Sequence, residues 1–425
     1  MTRHSPSPPR SLDGRDLSGL AVGVVDPNSA GAFIAKRLME RNADCVAIFT
    51  RDFEGTESVF PAIYRQTDPD FIAKLDRVGL NAVIPGAESG VRLAEELASR
   101  FGLPGNDPKT TDKRRNKTRM MAVVQANGIE ICAQRRCDSV RACLAWAEKV
   151  GFPVVVKPEA SSGSDLVRIC HDRRCLERHA AFILEHGDKY ANNTGGVLVQ
   201  EFMRGVEHTV DGIMSAAGLT VFAVGRYRKL DREGAMIYDR IDFHAPNDPA
   251  IDPRIIAYCE TVARAVDIEV GAVHAEIMLT ASGPLLVEIA ARAHGGIGAC
   301  VIDSNIQPSF LDALIDASLP SRQRGRDPLT IRKIRAASVC FLGNERCGLL
   351  SDIPGRKVIE SLPSFVKACW LVRRGEAIAE TVDLVTCPAM IELSHDNPAI
   401  VETDIARIRD LERQNLIFTM EDMKR

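Results

Sequence analysis

The sequence lacks a strong excess of charge of either sign. Its 54 lysines and arginines stand against 57 aspartates and glutamates, which gives a formal net charge of −3. A chain that binds nucleic acid or an anionic membrane through its overall charge normally carries a clear positive excess. The composition therefore predicts small-molecule ligands, with neither nucleic acid nor a membrane as a partner.

Other familiar signatures are missing as well. None of the 12 cysteines forms a CxxC pair, so we expect reduced thiols in a cytoplasmic protein. No apolar run reaches the length of a membrane-spanning helix. The first sixteen residues are polar and proline-rich, without the apolar centre of a signal peptide. Residues 1–17 are therefore predicted to form a disordered tail.

The amino-terminal region has the pattern of an α/β domain. With 425 residues, of which 45% are hydrophobic, the chain can bury the cores of two to four domains. From Leu20 to Gly105, short apolar runs alternate with amphipathic stretches, an order that predicts a parallel sheet flanked by helices. We assign this Rossmann-like domain to residues 18–108. Its first turn, from Asp26 to Gly31, lacks the GxGxxG spacing of a dinucleotide site, which argues against a nicotinamide dehydrogenase.

Two further units are predicted downstream. The basic helical stretch TDKRRNKTRMMAVVQANG leads into a unit at residues 109–206. Its predicted strands lie at residues 129–133, 153–157 and 197–200, with a turn and a further strand within 161–170, and its predicted helices lie at 139–150 and 175–185. Residues 207–425 are predicted to form a mixed α/β domain that has short strands beyond Ile331. A closing amphipathic helix carries three apolar residues on one face, Ile405, Ile408 and Leu411.

The segment from Gly271 to Gly296 predicts a β-hairpin followed by a glycine-rich loop. If the hairpin loop is Ala281-Ser282-Gly283, Glu276 lies directly opposite Glu288, and alternation adds four residues to the same face, His274, Met278, Leu286 and Ala290. Opposed carboxylates repel, whereas Mg²⁺ between them would bind to both. A glycine bulge would shift the pairing by one residue, and two solvent-facing glutamates on an ordinary hairpin are the alternative.

The residues after Glu288 add positive charge and exposed backbone. Arg292 falls on the same face if the strand continues, and His294-Gly295-Gly296 follows it. Carboxylates, a guanidinium group and free N–H groups together suit an anionic phosphorylated intermediate. Arg292 is therefore the candidate catalytic residue, and the candidate substrate contacts are His274, His294, Gly295 and Gly296. A packed or solvated histidine is the alternative for these two histidines and for His244.

Two other segments have features of a nucleotide site. In VVVKPEASSGSDLV, Lys157 ends an apolar strand, and the next turn offers N–H and hydroxyl groups to phosphate from Ser161, Ser162, Gly163 and Ser164. A plain loop is the alternative. In VLVQEFMRGVEHTVDG, extended backbone could bind the adenine edge and a nearby carboxylate the ribose. That segment could equally be a strand, a turn and a second strand with two surface acids.

In this order, the segments resemble the ATP-grasp superfamily from about Leu20 to about Gly296. The resemblance implies an ATP-grasp fold, with a Rossmann-like domain, a central ATP-binding lid and a mixed α/β carboxy-terminal domain. It implies that Lys117 and Lys157 contact the ATP phosphates, with the Ser161 to Ser164 turn as a mobile flap. It further implies that the main chain of Glu201 and Met203 binds adenine, with Gln200 beside it. Glu207 would then hold the ribose, and Glu276 and Glu288 would bind magnesium.

One position departs from much of the superfamily. Many members have an asparagine two residues after the second metal glutamate, whereas this chain has Ala290. The pattern Glu288-Ile289-Ala290-Ala291-Arg292 is instead similar to the L-amino acid ligases, which are dipeptide synthases.

This closer resemblance implies a specific reaction. The carboxylate of one amino acid becomes an acyl phosphate that Arg292 stabilises, and the amine of a second forms the amide bond, with release of ADP and phosphate. It also implies two Mg²⁺ ions, for which Mn²⁺ can substitute, and a homodimer. A different ATP-grasp carboxylate–amine ligase and a non-catalytic ATP-binding protein of the same fold are the alternatives.

Overall fold

The computed structural model describes most of the chain, namely residues 16–51, 60–159, 166–187, 196–232, 235–320 and 329–421. The predicted tail lies largely outside these residues, and the Ser161 to Ser164 turn lies wholly outside them. The predicted domain boundaries after residues 108 and 206 remain predictions.

The amino-terminal region folds as a parallel sheet, as predicted. Its strands are β1 (Ala21–Val25), β2 (Asp44–Phe49), β3 (Ala62–Arg65) and β4 (Ala82–Pro85), in the spatial order β3-β2-β1-β4. Its helices are α1 (Ala30–Glu40), α2 (Phe71–Val78) and α3 (Val91–Arg100), the last preceded by a short 3₁₀ turn. The turns after β1 and β4 touch, since a Cβ on Gly31 would lie 2.6 Å from the Cα of Gly86. This approach aligns both turns along one edge of the sheet.

A broken helix connects this sheet to the next unit. The basic stretch predicted as one helix forms α4 (Asp112–Arg115) and α5 (Lys117–Ala126). The break lies at Asn116, whose extended backbone ends α4 and whose side chain accepts a hydrogen bond from the N–H of Arg119 at the start of α5. Asparagine is favoured at such N-caps because it satisfies an orphan N–H group. Lys117 is therefore the first residue of a new helix.

A small antiparallel sheet with two helices follows. Its elements are β5 (Gln134–Cys137), α6 (Val140–Val150), β6 (Val154–Pro158), β7 (Arg168–Cys170), α7 (Arg173–His186) and β8 (Val197–Glu201). The strand predicted at residues 129–133 is displaced to β5, because that strand pairs through Gln134 and Arg135 with β8. The strand order is β5-β8-β6-β7, so the central pair brings Lys157 beside Gln200.

A large antiparallel sheet forms the rest of the site. Among the described residues it has eight strands in the order β13-β12-β9-β10-β11-β16-β20-β18. These are β9 (Gly205–Ser215), β10 (Gly218–Arg232), β11 (Ala235–His244), β12 (Gly271–Thr280), β13 (Pro284–Ala290), β16 (Ala336–Phe341), β18 (Phe365–Trp370) and β20 (Ala389–His395). The remaining elements are α8 (Pro253–Ala265), α9 (Gly298–Asn305), β14 (Ile306–Gln307), α10 (Phe310–Ser318), β15 (Arg332–Lys333), β17 (Gly348–Asp352), α11 (Gly355–Glu360), β19 (Ala377–Ile378), α12 (Pro398–Arg413) and β21 (Thr419–Glu421).

The two faces of this sheet are covered by different layers. On one face, α9 and α10 bridge it to the amino-terminal sheet through a continuous apolar core that includes Phe222 and Phe310. On the other face, α8 packs against apolar residues of β9, β12 and β13. The closing helix α12 buries Ile405, Ile408 and Leu411, as its pattern predicted.

The hairpin register is correct at the two glutamates for a reason the sequence did not show. Thr280 and Gly283 bond to each other through their backbones, so the loop has two residues instead of three. The pairing then shifts by one between Glu276 and Ile277, which leaves Val287 unpaired and restores the Glu276–Glu288 pair. The prediction that Leu286 shares the face of Glu276 is wrong. The bulge places its side chain on the opposite face, in the apolar core beside Ile277.

Candidate active site

Three neighbouring strands of the large sheet place six side chains in two rows on one face. Glu276 pairs with Glu288 on one side and with Thr209 on the other. One step along the same face, His274 pairs with two residues, Ala290 and Asp211. Because alternate residues of a strand share a face, the first row holds opposed carboxylates and the second holds a carboxylate–histidine pair.

The opposed carboxylates differ in their surroundings. Burial and repulsion from Glu288 raise the pKa of Glu276. Burial also acts to raise the pKa of Glu288, but the positive charges of Lys117 and Arg292 outweigh it and lower that pKa to about 2. The Nζ of Lys117 lies 3.0 Å from Oε2 of Glu288. His274 offsets this repulsion only in part, and a divalent cation between the two carboxylates would remove the remainder.

Arg292 connects the large sheet to the amino-terminal one. Its Nε donates to Oε2 of Glu88 at 2.8 Å, and the other oxygen of Glu88 lies 3.2 Å from Nε of Arg115. Burial opposes ionisation of Glu88, yet the two guanidinium groups keep its pKa below the ordinary value. Sequence reasoning missed Glu88. Its position directly after β4, at the carboxyl edge of a parallel sheet where ligands commonly bind, was the available signal.

Of the predicted ATP residues, Lys157 and Gln200 lie together at the centre of the small sheet. Lys157 is buried, and its Nζ donates to Oε1 of Gln200 at 3.0 Å. Burial, with repulsion from Lys117, lowers the pKa of Lys157 to about 8. Glu201 ends β8, its backbone N–H bonds to the carbonyl of Ala133, and Met203 lies between β8 and β9. The lysine therefore faces the same charged cluster as Lys117 and Glu288.

Glu207, the predicted ribose contact, is buried on the face that carries the glutamate pair. Its carboxylate accepts from Nζ of Lys229 at 2.5 Å and from the hydroxyl of Tyr238 at 3.2 Å. That lysine also lies over the Tyr238 ring, 4.4 Å from its centroid. Sequence reasoning missed both partners, because β10 and β11 were not predicted.

The two predicted substrate histidines are buried together. The Nδ1 of His274 lies 2.8 Å from Oδ1 of Asp211, and Nδ1 of His294 lies 3.0 Å from Oδ2 of the same carboxylate. Burial would lower the pKa of His274, but Asp211 outweighs it and raises that pKa to about 9. For His294, burial dominates and lowers the pKa. His244 is not part of this group, because it bonds to Asp248.

The glycine-rich loop reaches the amino-terminal sheet. The N–H of Gly296 donates to the hydroxyl of Ser29 at 2.7 Å, and Gly296 has a positive φ of 59°. Gly295 also lies near this hydroxyl. The loop and the turn after β1 therefore border the same space as Arg292 and Glu88.

Comparisons with known proteins identify the family. The family model of the ATP-grasp domain matches residues 150–301. Dapdiamide A synthase of Enterobacter agglomerans is 30% identical over 352 residues, which cover 80% of this chain and 81% of that protein. The chain belongs to the ATP-grasp family. The L-arginine-specific L-amino acid ligase of Bacillus subtilis is 24% identical over 310 residues, which cover 70% of this ATP-grasp protein and 71% of the relative.

Solved structures confirm the ATP-grasp fold. An L-amino acid ligase from Bacillus licheniformis has a TM-score of 0.75 at 18% identity and matches 96% of this chain and 100% of its own. The ADP complex of N5-carboxyaminoimidazole ribonucleotide synthetase has a TM-score of 0.68 at 14% identity, with coverage of 94% and 99%. No helix within the described ranges is both long and apolar enough to cross a membrane. Together with the relatives, the ATP-grasp domain identifies an ATP-dependent carboxylate–amine ligase similar to amide- and dipeptide-forming ligases.

Proposed function

We propose that this ATP-grasp ligase joins two amino acids, or amino-acid-like molecules, into a dipeptide. The carboxylate of the first substrate attacks the γ-phosphate of ATP and forms an acyl phosphate. The amine of the second substrate attacks the acyl carbon, loses a proton and displaces phosphate. The products are the dipeptide, ADP and phosphate. Two of the relatives are named L-amino acid ligases, which supports this assignment.

One observation carries the proposal. Arg292, the guanidinium group that follows the opposed carboxylates, lies within bonding distance of Glu88 from the amino-terminal sheet. Positive charge, carboxylates and the N–H groups of the glycine loop therefore border one space between the two sheets. In that space, Arg292 would stabilise negative charge on the acyl phosphate and on the transition state of amine attack. The N–H of Gly295 would bind a substrate carboxylate, and the N–H of Gly296 would do so by exchanging its bond to the hydroxyl of Ser29.

The nucleotide would lie between the small and the large sheet. Lys117 and Lys157 would bind its phosphates, together with the turn predicted from Ser161 to Ser164, which lies outside the described residues. The main chain of Glu201 and Met203 would bind adenine, with Gln200 beside it. Glu207 would hold the ribose, and its carboxylate would then exchange the bonds to Lys229 and Tyr238 for bonds to hydroxyl groups.

The residues present fit a magnesium site. Glu276 and Glu288 are opposed oxygen donors, and Glu276 carries the repulsion that a cation removes. Mg²⁺ retains several waters and takes phosphate oxygens alongside one or two protein carboxylates, so the two glutamates suffice without a ligand at Ala290. When bound, Mg²⁺ neutralises charge on the ATP phosphates. We propose two such ions, for which Mn²⁺ can substitute, and a homodimeric enzyme.

The proposal is tested by identifying products. The protein is incubated with magnesium, ATP and pooled amino acids, and the nucleotides and peptides are separated by chromatography and identified by mass spectrometry. We expect ADP, phosphate and at least one new dipeptide in equal amounts. An Arg292→Lys control should bind ATP but form little dipeptide, because a lysine cannot reproduce the planar guanidinium fork.

Other products would contradict specific parts of the proposal. AMP and pyrophosphate would reject the acyl-phosphate route. ADP without any new peptide would leave a carboxylate–amine ligase and reject the dipeptide assignment.

A further inference from the structure

We propose that Asp211 is a positioning residue that holds His274 against the metal carboxylate Glu276 and holds His294 against the start of the glycine-rich loop. The inference deepens the proposed function and rests on its metal assignment. Neither the family resemblance nor the sequence pattern pointed to Asp211.

The contacts form one continuous chain through the site. Asp211 is fully buried on β9 and accepts from His274, from His294 and from the hydroxyl of Thr209. The far nitrogen of His274, Nε2, lies 3.8 Å from Oε1 of Glu276. Both nitrogens of His274 thus face carboxylates, and a ring held at Nδ1 has a defined orientation at Nε2.

The second carboxylate oxygen of Asp211 connects through His294 to the glycine-rich loop. The ring of His294 lies so close to the backbone of α9 that a Cβ on Gly298 would fall 2.1 Å from its Cδ2 atom. Glycine is therefore required where the loop enters α9. With its Nδ1 bound to Asp211, the ring is held against Gly298, two residues after the Gly295-Gly296 pair. One carboxylate therefore contacts both the metal half and the substrate half of the site.

A metal ion bound by Asp211, His274 and His294 is the competing explanation, because ligand atoms of these residues lie within 4.8 Å of one another. The distances favour direct hydrogen bonds. At 2.8 and 3.0 Å, the two Nδ1–carboxylate pairs have the ordinary separation of an N–H donor and an oxygen acceptor. The carboxylate is thereby satisfied without an ion.

The principal test compares Asp211→Asn with Asp404→Asn. Asp404 is also a buried carboxylate that accepts two hydrogen bonds, both from Ser364, but it lies on α12 away from the site. Binding of Mn²⁺ in the presence of ADP is measured by electron paramagnetic resonance, together with kcat, KM and Tm. We expect Asp211→Asn to weaken Mn²⁺ binding and to lower kcat, each by about 10- to 100-fold. The Asp404 variant should have a lower Tm but an unchanged Mn²⁺ affinity.

Two substitutions of His274 test which of its two nitrogen contacts matters for metal binding. Asparagine places its amide near the Nδ1 position and can keep the bond to Asp211, whereas glutamine places its amide near Nε2 and can keep the contact with Glu276. If Asp211 acts by orienting a donor toward Glu276, His274→Gln should retain more Mn²⁺ affinity than His274→Asn. These variants also supply the answer if Asp211→Asn does not fold.

Several outcomes would overturn the inference. Unchanged Mn²⁺ affinity and kcat in Asp211→Asn, with a fall in Tm like that of Asp404→Asn, would assign Asp211 a structural role only. Stoichiometric transition metal in the purified protein, lost in Asp211→Asn, would make the group a metal site. Full Mn²⁺ binding in Glu288→Gln would remove the metal assignment and the inference with it. Failure to find a dipeptide would reject the proposed substrates alone, because the binding measurement contains only Mn²⁺ and ADP.

Discussion

The two rows of side chains on the face of β9, β12 and β13 show how charge balance separates binding groups from positioning groups. In the row of Glu276 and Glu288, two like charges face each other, and the pKa of Glu276 is raised by burial and by this repulsion. In the row of Asp211 and His274, burial is opposed by attraction, and the pKa of the histidine rises to about 9.

The difference teaches what each row requires. A buried pair of opposite charges with matched hydrogen bonds is complete in itself, and breaking it leaves an uncompensated charge. Opposed carboxylates are incomplete until a cation arrives, and the unfavourable term is present in the folded protein without ligand. We therefore expect neutralising substitutions of Glu276 and of Asp211 to change stability in opposite directions.

The largest effect is expected from neutralising the opposed carboxylates. Glu276→Gln and Glu288→Gln should each lower kcat by about 10³-fold, which corresponds to about 4 kcal/mol of lost transition-state stabilisation from the metal site. At neutral pH and without metal, Glu276→Gln should raise Tm, because the raised pKa means that ionisation of Glu276 destabilises the fold above its unfolded pKa. Kinetics at saturating magnesium and calorimetric melting curves check both expectations.

The contrasting variant is Asp211→Asn. The pKa of Asp211 lies below its ordinary value, because the two histidines outweigh its burial. Its ionised form therefore contributes stability above the unfolded pKa, and the variant should lower Tm at neutral pH. Near-normal turnover in Glu288→Gln would remove the metal assignment, and an equal fall in Tm in Glu276→Gln and Asp211→Asn would remove the comparison itself.

The sequence predicted the glutamate row better than the histidine row, and the reason is the range of the interactions. Glu276 and Glu288 are joined by a short hairpin, so period-two alternation was enough to oppose them. Even so, the register was right at this pair only because a shorter loop and a bulge beside Val287 cancelled. Leu286 lies between the two irregularities and was placed on the wrong face.

The contacts that were not predicted join distant segments. Asp211 lies 63 residues from His274, and Glu88 lies 204 residues from Arg292. Such pairs depend on which strands become neighbours in a sheet, and local propensity does not determine strand order. The parallel amino-terminal sheet was predictable because its strands and helices alternate along the chain. The strands β9, β10 and β11 form an antiparallel meander, and their pairing was not predicted from the sequence.

Ala290→Asn, a second substitution in the histidine row, introduces the asparagine that many ATP-grasp proteins have at this position. Ala290 is buried directly across from His274, so asparagine there would crowd the imidazole that Asp211 holds. We expect Ala290→Asn to lower kcat by about tenfold and to destabilise the fold by about 1–3 kcal/mol, as overpacking of a filled site does. Steady-state kinetics and denaturant unfolding measure the two effects.

The matched control is Ala281→Asn. This residue is exposed in the loop of the same hairpin, so the same change should leave both quantities near their original values. Tighter metal binding together with faster turnover in Ala290→Asn would show instead that the site accepts a third protein ligand, and that His274 is not required in its present orientation.

The last comparison concerns Lys157, a buried cation whose side-chain hydrogen bond is to the neutral amide of Gln200. Burial, with repulsion from Lys117, lowers its pKa from 10.5 to about 8. Between these values the unfolded chain binds more protons than the folded one, so the contribution of Lys157 to the unfolding free energy rises with pH. Lys157→Met should therefore stabilise the protein at pH 7, and the gain should shrink as the pH passes 8.

Nucleotide binding should reverse this shift. If the ATP phosphates contact Lys157, their negative charge raises its pKa, and at pH 8 the protein takes up a fraction of a proton as Mg²⁺ and ATP bind. Titration calorimetry in buffers of different ionisation enthalpy measures that uptake, which should disappear in Lys157→Met while ATP affinity falls about 10- to 100-fold. Lys149→Met, at an exposed position on α6, should change neither quantity. Unaltered affinity and proton uptake in Lys157→Met would place the phosphates elsewhere, because a buried ammonium group in contact with them cannot be removed without both changes.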